Sequence, residues 1–93
     1  MRRVYEIYKY IDSIAPFCTA EHWDNPGLLV GDANDEVNKA VICLDMDKGA
    51  ADFARGAGAQ LLISHHPVIF DPLKRLGKEQ VVYHLVQNHL AAI

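Results

Sequence analysis

Apolar positions recur along this chain with two different periods, and each change of period marks a change of element. Val4, Ile7, Tyr8, Ile11 and Ile14 follow the i, i+3, i+4, i+7 spacing of one helical stripe, which predicts a helix over about residues 2–14. Pro16 marks its end, because a proline pushes the residue before it out of helical geometry. Asn25-Pro26-Gly27 is turn chemistry, with proline fixing one dihedral and glycine permitting positive φ. Leu28 to Val30 then reads as a short strand closed by Gly31-Asp32, and Asn34 to Asn38 as a polar connector.

The pattern continues with Lys39 to Leu44, a second buried strand that ends at Asp45. A helix is expected over about residues 47–57, with Asp47 as the better N-cap and Gly58 as the left-handed residue that stops it. Ala50, Phe53, Ala54 and Ala57 form its buried stripe. Leu61-Leu62-Ile63 is apolar without alternation, the mark of a strand buried on both faces. Strand, helix and strand over this length make a right-handed βαβ unit with parallel strands. Asp45 and His65 should then share its C-terminal edge, side by side. Asp71 to Gly77 is a loop, followed by a helix over about residues 78–90 with Val81, Val82, Leu85, Val86 and Leu90 on one face.

The chain ends on Leu90-Ala91-Ala92-Ile93, an apolar run where a βαβα pattern calls for another strand, expected to begin near Ile93. The expectation is one α/β domain over residues 1–93, a βαβ-containing layered sheet with helices packed on it. It is expected to be the N-terminal part of a larger α/β domain.

Composition changes this picture little and narrows function more. Just over half of the 93 residues are hydrophobic, and the net charge of −3 comes with no basic run, so a nucleic-acid footprint is absent. No apolar stretch approaches the roughly 20 residues that span a bilayer. Met1-Arg2-Arg3 leads into an amphipathic helix and not into a signal-peptide core. Cys18 and Cys43 lack paired-ligand spacing and read as two reduced thiols of a cytoplasmic protein, Cys43 buried in its strand.

Candidate chemistry collects after the third strand. Leu61-Leu62-Ile63-Ser64 runs into His65, His66 and Pro67, and strand ends in open α/β sheets are where sites form. Neighbouring side chains on a strand point to opposite faces, so the two imidazoles share one metal only if the backbone bends; each could reach one of two neighbouring ions. Imidazole suits zinc, iron, manganese, nickel or cobalt, but two are too few for a stable site, so carboxylates from Asp45, Asp24 or elsewhere are needed. Glu21, His22 and Asp24 could bind a metal or a proton, although a capping role for Asp24 and Asn25, a core anchor at Trp23 and solvated Glu21 and His22 explain them more simply. Lys74 and Arg75 could attract a phosphate, but a solvated pair on a loop is the simpler reading. His84 and His89 are five residues apart, about 140° around a helix, and read as surface or boundary residues.

Two stretches together resemble a known family. Trp23-Asp24-Asn25-Pro26-Gly27-Leu28-Leu29-Val30-Gly31 resembles its WDNxGLxxG hallmark, and Ser64-His65-His66-Pro67-Val68-Ile69-Phe70 its SHHPxxF hallmark. The family is the dinuclear metal centre proteins related to NGG-interacting factor three, also called GTP cyclohydrolase I type 2-like. The resemblance implies that His65 and His66 are metal ligands, one to each of two divalent ions such as zinc, iron or manganese. It also implies a metal-dependent hydrolase with a nucleotide or small-molecule substrate, assembled as a homo-oligomer, a toroidal hexamer in the family. Members are longer than this chain and place an aspartate just beyond the position of Ile93, then a histidine and a glutamate near their C-termini. With two of about five ligands, the 93 residues alone are expected to bind metal weakly or not at all and to be inactive. A non-catalytic metal-binding scaffold or interaction protein is the alternative.

Overall fold

The computed structural model describes residues 2–17, 25–69 and 71–93. Cys18, Glu21, His22, Trp23, Asp24 and Phe70 lie outside these. The described elements run β1 (Arg2–Arg3), α1 (Val4–Ile14), β2 (Glu36–Val37), β3 (Ala40–Cys43), α2 (Lys48–Ala57), β4 (Leu61–Ser64), α3 (Val81–Gln87) and β5 (Ala91–Ala92).

The centre is a parallel three-stranded sheet in the order β3-β4-β5, with Ala40 opposite Leu61 and Leu61 opposite Ala91. Its two faces are read off by the period of two. Leu62 and Ala92 turn toward α2 and α3 and join Ala51, Ala54, Val82 and Leu85 in one apolar cluster. Leu61, Ala91 and Ile93 turn the other way and pack with Val4 and the inner face of α1. The chain is therefore α/β, with helices on both sides of a sheet whose middle strand is buried on both faces.

Helix α2 begins and ends as its sequence demands. Asp47 is extended and its carboxylate accepts the Ala50 N–H at 2.7 Å. At the other end Gly58 takes φ 76° and Ala59 N–H donates to Ala54 O at 2.9 Å, the closing bond of a left-handed C-cap. Helix α3 stops the same way without a glycine: His89 adopts φ 56° and Leu90 N–H reaches Leu85 O at 2.8 Å. That turn feeds Leu90 straight into β5.

Several expectations need correction. The first helix starts at Val4, not residue 2, because Arg2 and Arg3 pair antiparallel with Val37 and Glu36. The supposed polar connector thus contains a strand. The N–H groups of Val4 and Tyr5 donate to Asp35 O and Ala33 O, both at 2.9 Å, so the loop from Ala33 to Asp35 caps the helix. Leu28 to Val30 is not a full strand; Val30 makes one antiparallel bridge to Ala92. Helix α3 covers Val81–Gln87 only, since Gln80 is extended and its side chain closes a turn on the Gly77 N–H. The next strand begins at Ala91, two residues before the expected place.

Burial also departs from expectation at the sheet edge. Strand β3 is outermost, and α1 lies over β4 and β5 without covering it, so Ile42 is 80% exposed. Cys43 is half-buried instead of buried. Phe53, placed in the buried stripe of α2, is 67% exposed; Ala51 and Ala54 form that stripe.

Candidate metal centre

Strand β4 ends at Ser64, and the chain bends at His65 and His66. The parallel ladder holds the bend in place, with His65 N–H donating to Cys43 O and His66 N–H to Leu44 O, each at 3.2 Å. Ser64 adds a side-chain bond from its hydroxyl to His66 O. Because the strand has ended, the two imidazoles are not thrown to opposite faces. Their centroids are 4.8 Å apart with the planes at 69°. Both side chains stand open at the C-terminal rim of the sheet.

His65 lines a cleft of about 340 Å³ that it shares with Ser64, Pro67, Asn25, Phe17 and Ile93. The Asn25 side-chain amide donates to Ile69 O at 2.7 Å, fastening the Asn25-Pro26-Gly27 turn to the segment after the histidines. That tie between the two motifs had no signal in local spacing, because it joins residues 44 apart.

His66 is the member of the pair on the β3 side. Its Nε2 is 4.0 Å from Asp45 Oδ1. The expected neighbour of Asp45 was His65; the register Cys43↔Ser64 carries the pairing on to Leu44 beside His65 and Asp45 beside His66. Cys43 lies close by, but burial pushes its thiol up, helped by the carboxylates of Asp47 and Asp45, so it keeps its proton at neutral pH. His84 instead bonds Lys78 O at 2.8 Å through Nε2, and Arg75 pairs with Glu79. Neither joins the rim.

The donors fit part of a two-metal centre. Two exposed imidazoles at 4.8 Å suit ions about 3.5–4 Å apart. Among the described residues, however, no three His, Cys, Asp or Glu side chains gather around one point.

The model of the family described as Duf34/NIF3 (NGG1p interacting factor 3) matches residues 2–92. The chain belongs to the Duf34/NIF3 family. It is 41% identical over 71 residues to the GTP cyclohydrolase 1 type 2 homolog of Campylobacter jejuni, covering 76% of this chain and 29% of that protein. It is 35% identical over 97 residues to the GTP cyclohydrolase 1 type 2 of Helicobacter pylori strain J99, covering 100% of this chain and 39% of that one. A Staphylococcus aureus crystal structure superposes with a TM-score of 0.92 at 33% identity, over 99% of this chain and 27% of that chain. The chain thus spans well under half the length of these Duf34/NIF3 relatives, and the family's α/β fold is present over its whole described length. No helix among the described residues is long and apolar enough to cross a membrane.

Proposed function

We propose that this chain is the part of a metal-dependent hydrolase, of the GTP cyclohydrolase 1 type 2 kind, that presents two adjacent metal ligands, His65 and His66. The observation that carries the reading is the pair of open imidazoles held 4.8 Å apart at the C-terminal edge of a buried parallel strand. Each ring would hold one of two divalent ions, zinc, iron or manganese, with the remaining donors coming from outside these residues. When bound, such ions would supply Lewis acidity and polarise a water for attack.

The chain's own residues supply position. The β3–β4 ladder fixes the backbone of both histidines, and Asn25 fixes the wall of the cleft against which a nucleotide or small-molecule substrate would lie. Assembly as a homo-oligomer would follow the family, and two thiols without paired spacing suit a reducing, cytoplasmic setting.

A non-catalytic metal-binding scaffold is the second reading. It draws on Ile42 of the outer strand and Leu44 just past its end, apolar side chains that stand open.

Elemental analysis of a protein of the relatives' full length that carries this chain, loaded with zinc or manganese, with and without His65→Ala, tests the metal. Hydrolysis of GTP or of a model phosphodiester tests the reaction. Metal retained by the wild type and lost in the variant is expected. Equal turnover by metal-stripped protein would overturn the hydrolase, and metal retention without turnover would favour the scaffold.

A further inference from the structure

Two acids flank the start of α2, and the structure uses them differently. Asp47 gives its carboxylate to the Ala50 N–H as the helix cap. Asp45 takes no part in that cap and makes no other hydrogen bond or ion pair among the described residues than its approach to His66. Its place is set by backbone: His66 N–H donates to Leu44 O, which pins residue 66 alongside the end of β3 just before Asp45.

We propose that Asp45 is a positioning residue for His66. Its carboxylate holds the proton on the ring nitrogen that faces it and leaves the other nitrogen bare for a cation. This inference rests on the metal reading above. An imidazole ligates only through an unprotonated nitrogen, and ligating histidines characteristically donate their second N–H to a carboxylate or carbonyl. The separation of 4.0 Å between Nε2 and Oδ1 is longer than a hydrogen bond. Both side chains are more than half exposed, at 59% and 69%, and have room to rotate together. Hydrogen bonds at functional sites are often long in the unliganded state and close only in the complex. His65 has no such acid beside it among the described residues and serves as the internal control.

The test is ¹⁵N NMR of the histidine rings in the whole chain, at a pH well above the ordinary histidine value of about 6.5. It is followed by titration with cobalt(II) chloride alone, read by broadening of each ring's signals. Wild type, Asp45→Asn and Asp45→Ala are compared, with the amide spectrum as the check on folding. In the wild type His66 should populate one tautomer strongly, and both variants should shift it toward a mixture. The cobalt concentration at half-broadening of His66 should rise about tenfold, the low end of the effect of losing such a partner. The tautomer balance of His65 should not move. A His66 balance and cobalt midpoint equal to wild type in both variants would overturn the proposal. Wild-type protein in which cobalt perturbs neither ring would overturn the metal reading instead, and the tautomer comparison would still decide whether Asp45 orients His66.

Discussion

The rings of His65 and His66 meet nearly edge to face, 69° between planes, although residues adjacent on a strand should point apart. The bend after Ser64 resolves the conflict, and it does so where the β3–β4 hydrogen bonds still reach. The two imidazoles are thus gathered by backbone and not by packing.

That origin makes a prediction. Open side chains away from caps and core change stability by no more than about 0.5 kcal/mol. His65→Ala and His66→Ala should therefore keep the wild-type urea midpoint while each lowers metal uptake. A midpoint that drops sharply in either variant would show that the rings hold the fold together.

The sheet predicts a contrast between two apolar residues of neighbouring strands. Leu62 is fully buried between β4 and the helices α2 and α3, whereas Ile42 on β3 is 80% exposed. Truncating a buried leucine costs about 2–5 kcal/mol. Leu62→Ala should accordingly destabilise by about 3 kcal/mol in urea denaturation, and Ile42→Ala by well under 1 kcal/mol. Equal losses would mean that Ile42 is covered in solution, for instance by a second copy of the chain.

The same contrast shows what could be read from the residues and what could not. Asp47, Gly58 and the run Leu61-Leu62-Ile63 are local signals, and each specifies its own cap or strand wherever the chain goes next; α2, β4 and their parallel partner β3 follow from them. Ile42 is as apolar as Leu62, and nothing in its neighbours says that β3 is outermost and that α1 stops short of it. Ala91-Ala92 is a poor strand former by propensity, and Arg2-Arg3 carries no apolar or β-branched strand signal. They become strands because Glu36-Val37 and β4 present open backbone groups beside them. At the site, the adjacency of His65 and His66 was plain, but their convergence, the Asn25 tie and the pairing of Asp45 with His66 depend on a bend and a register.

Gly31 and Gly58 both have positive φ, at 97° and 76°, yet an alanine should behave differently at each. Around Gly58 an added Cβ would meet nothing, so Gly58→Ala bears only the left-handed penalty of about 1–2 kcal/mol. At Gly31 the new Cβ would fall 2.7 Å from Ala91 Cβ and 2.9 Å from Ala91 Cα. The obstacle includes the backbone of β5, which cannot swing aside without breaking the ladder to β4. Gly31→Ala should cost about 3 kcal/mol or more, strain and overpacking together. Thermal melts of the two variants decide it, and a Gly31→Ala protein as stable as Gly58→Ala would contradict the close approach.

Acidification should loosen the start of α1 before the core. The Arg3 N–H donates to the Glu6 carboxylate at 3.0 Å, and the Arg2 guanidinium reaches it at 3.1 Å. The Arg3 backbone bond first, and Arg2 second, hold this carboxyl below its ordinary value. The folded chain therefore binds a proton on Glu6 less readily than the unfolded chain does. The resulting stability is complete above the unfolded glutamate value of about 4.3 and is lost as pH falls through the lower, folded value. Amide exchange at Val4 and Tyr5 should accelerate over that window, and Glu6→Gln should exchange faster already at neutral pH and respond less to acid. Salt separates the two causes: screening weakens the exposed Arg2 pair, while a short bond to a backbone N–H persists. If about 1 M salt at neutral pH abolished the protection altogether, the Arg2 ion pair and not the Arg3 bond would be what fastens this end of the helix.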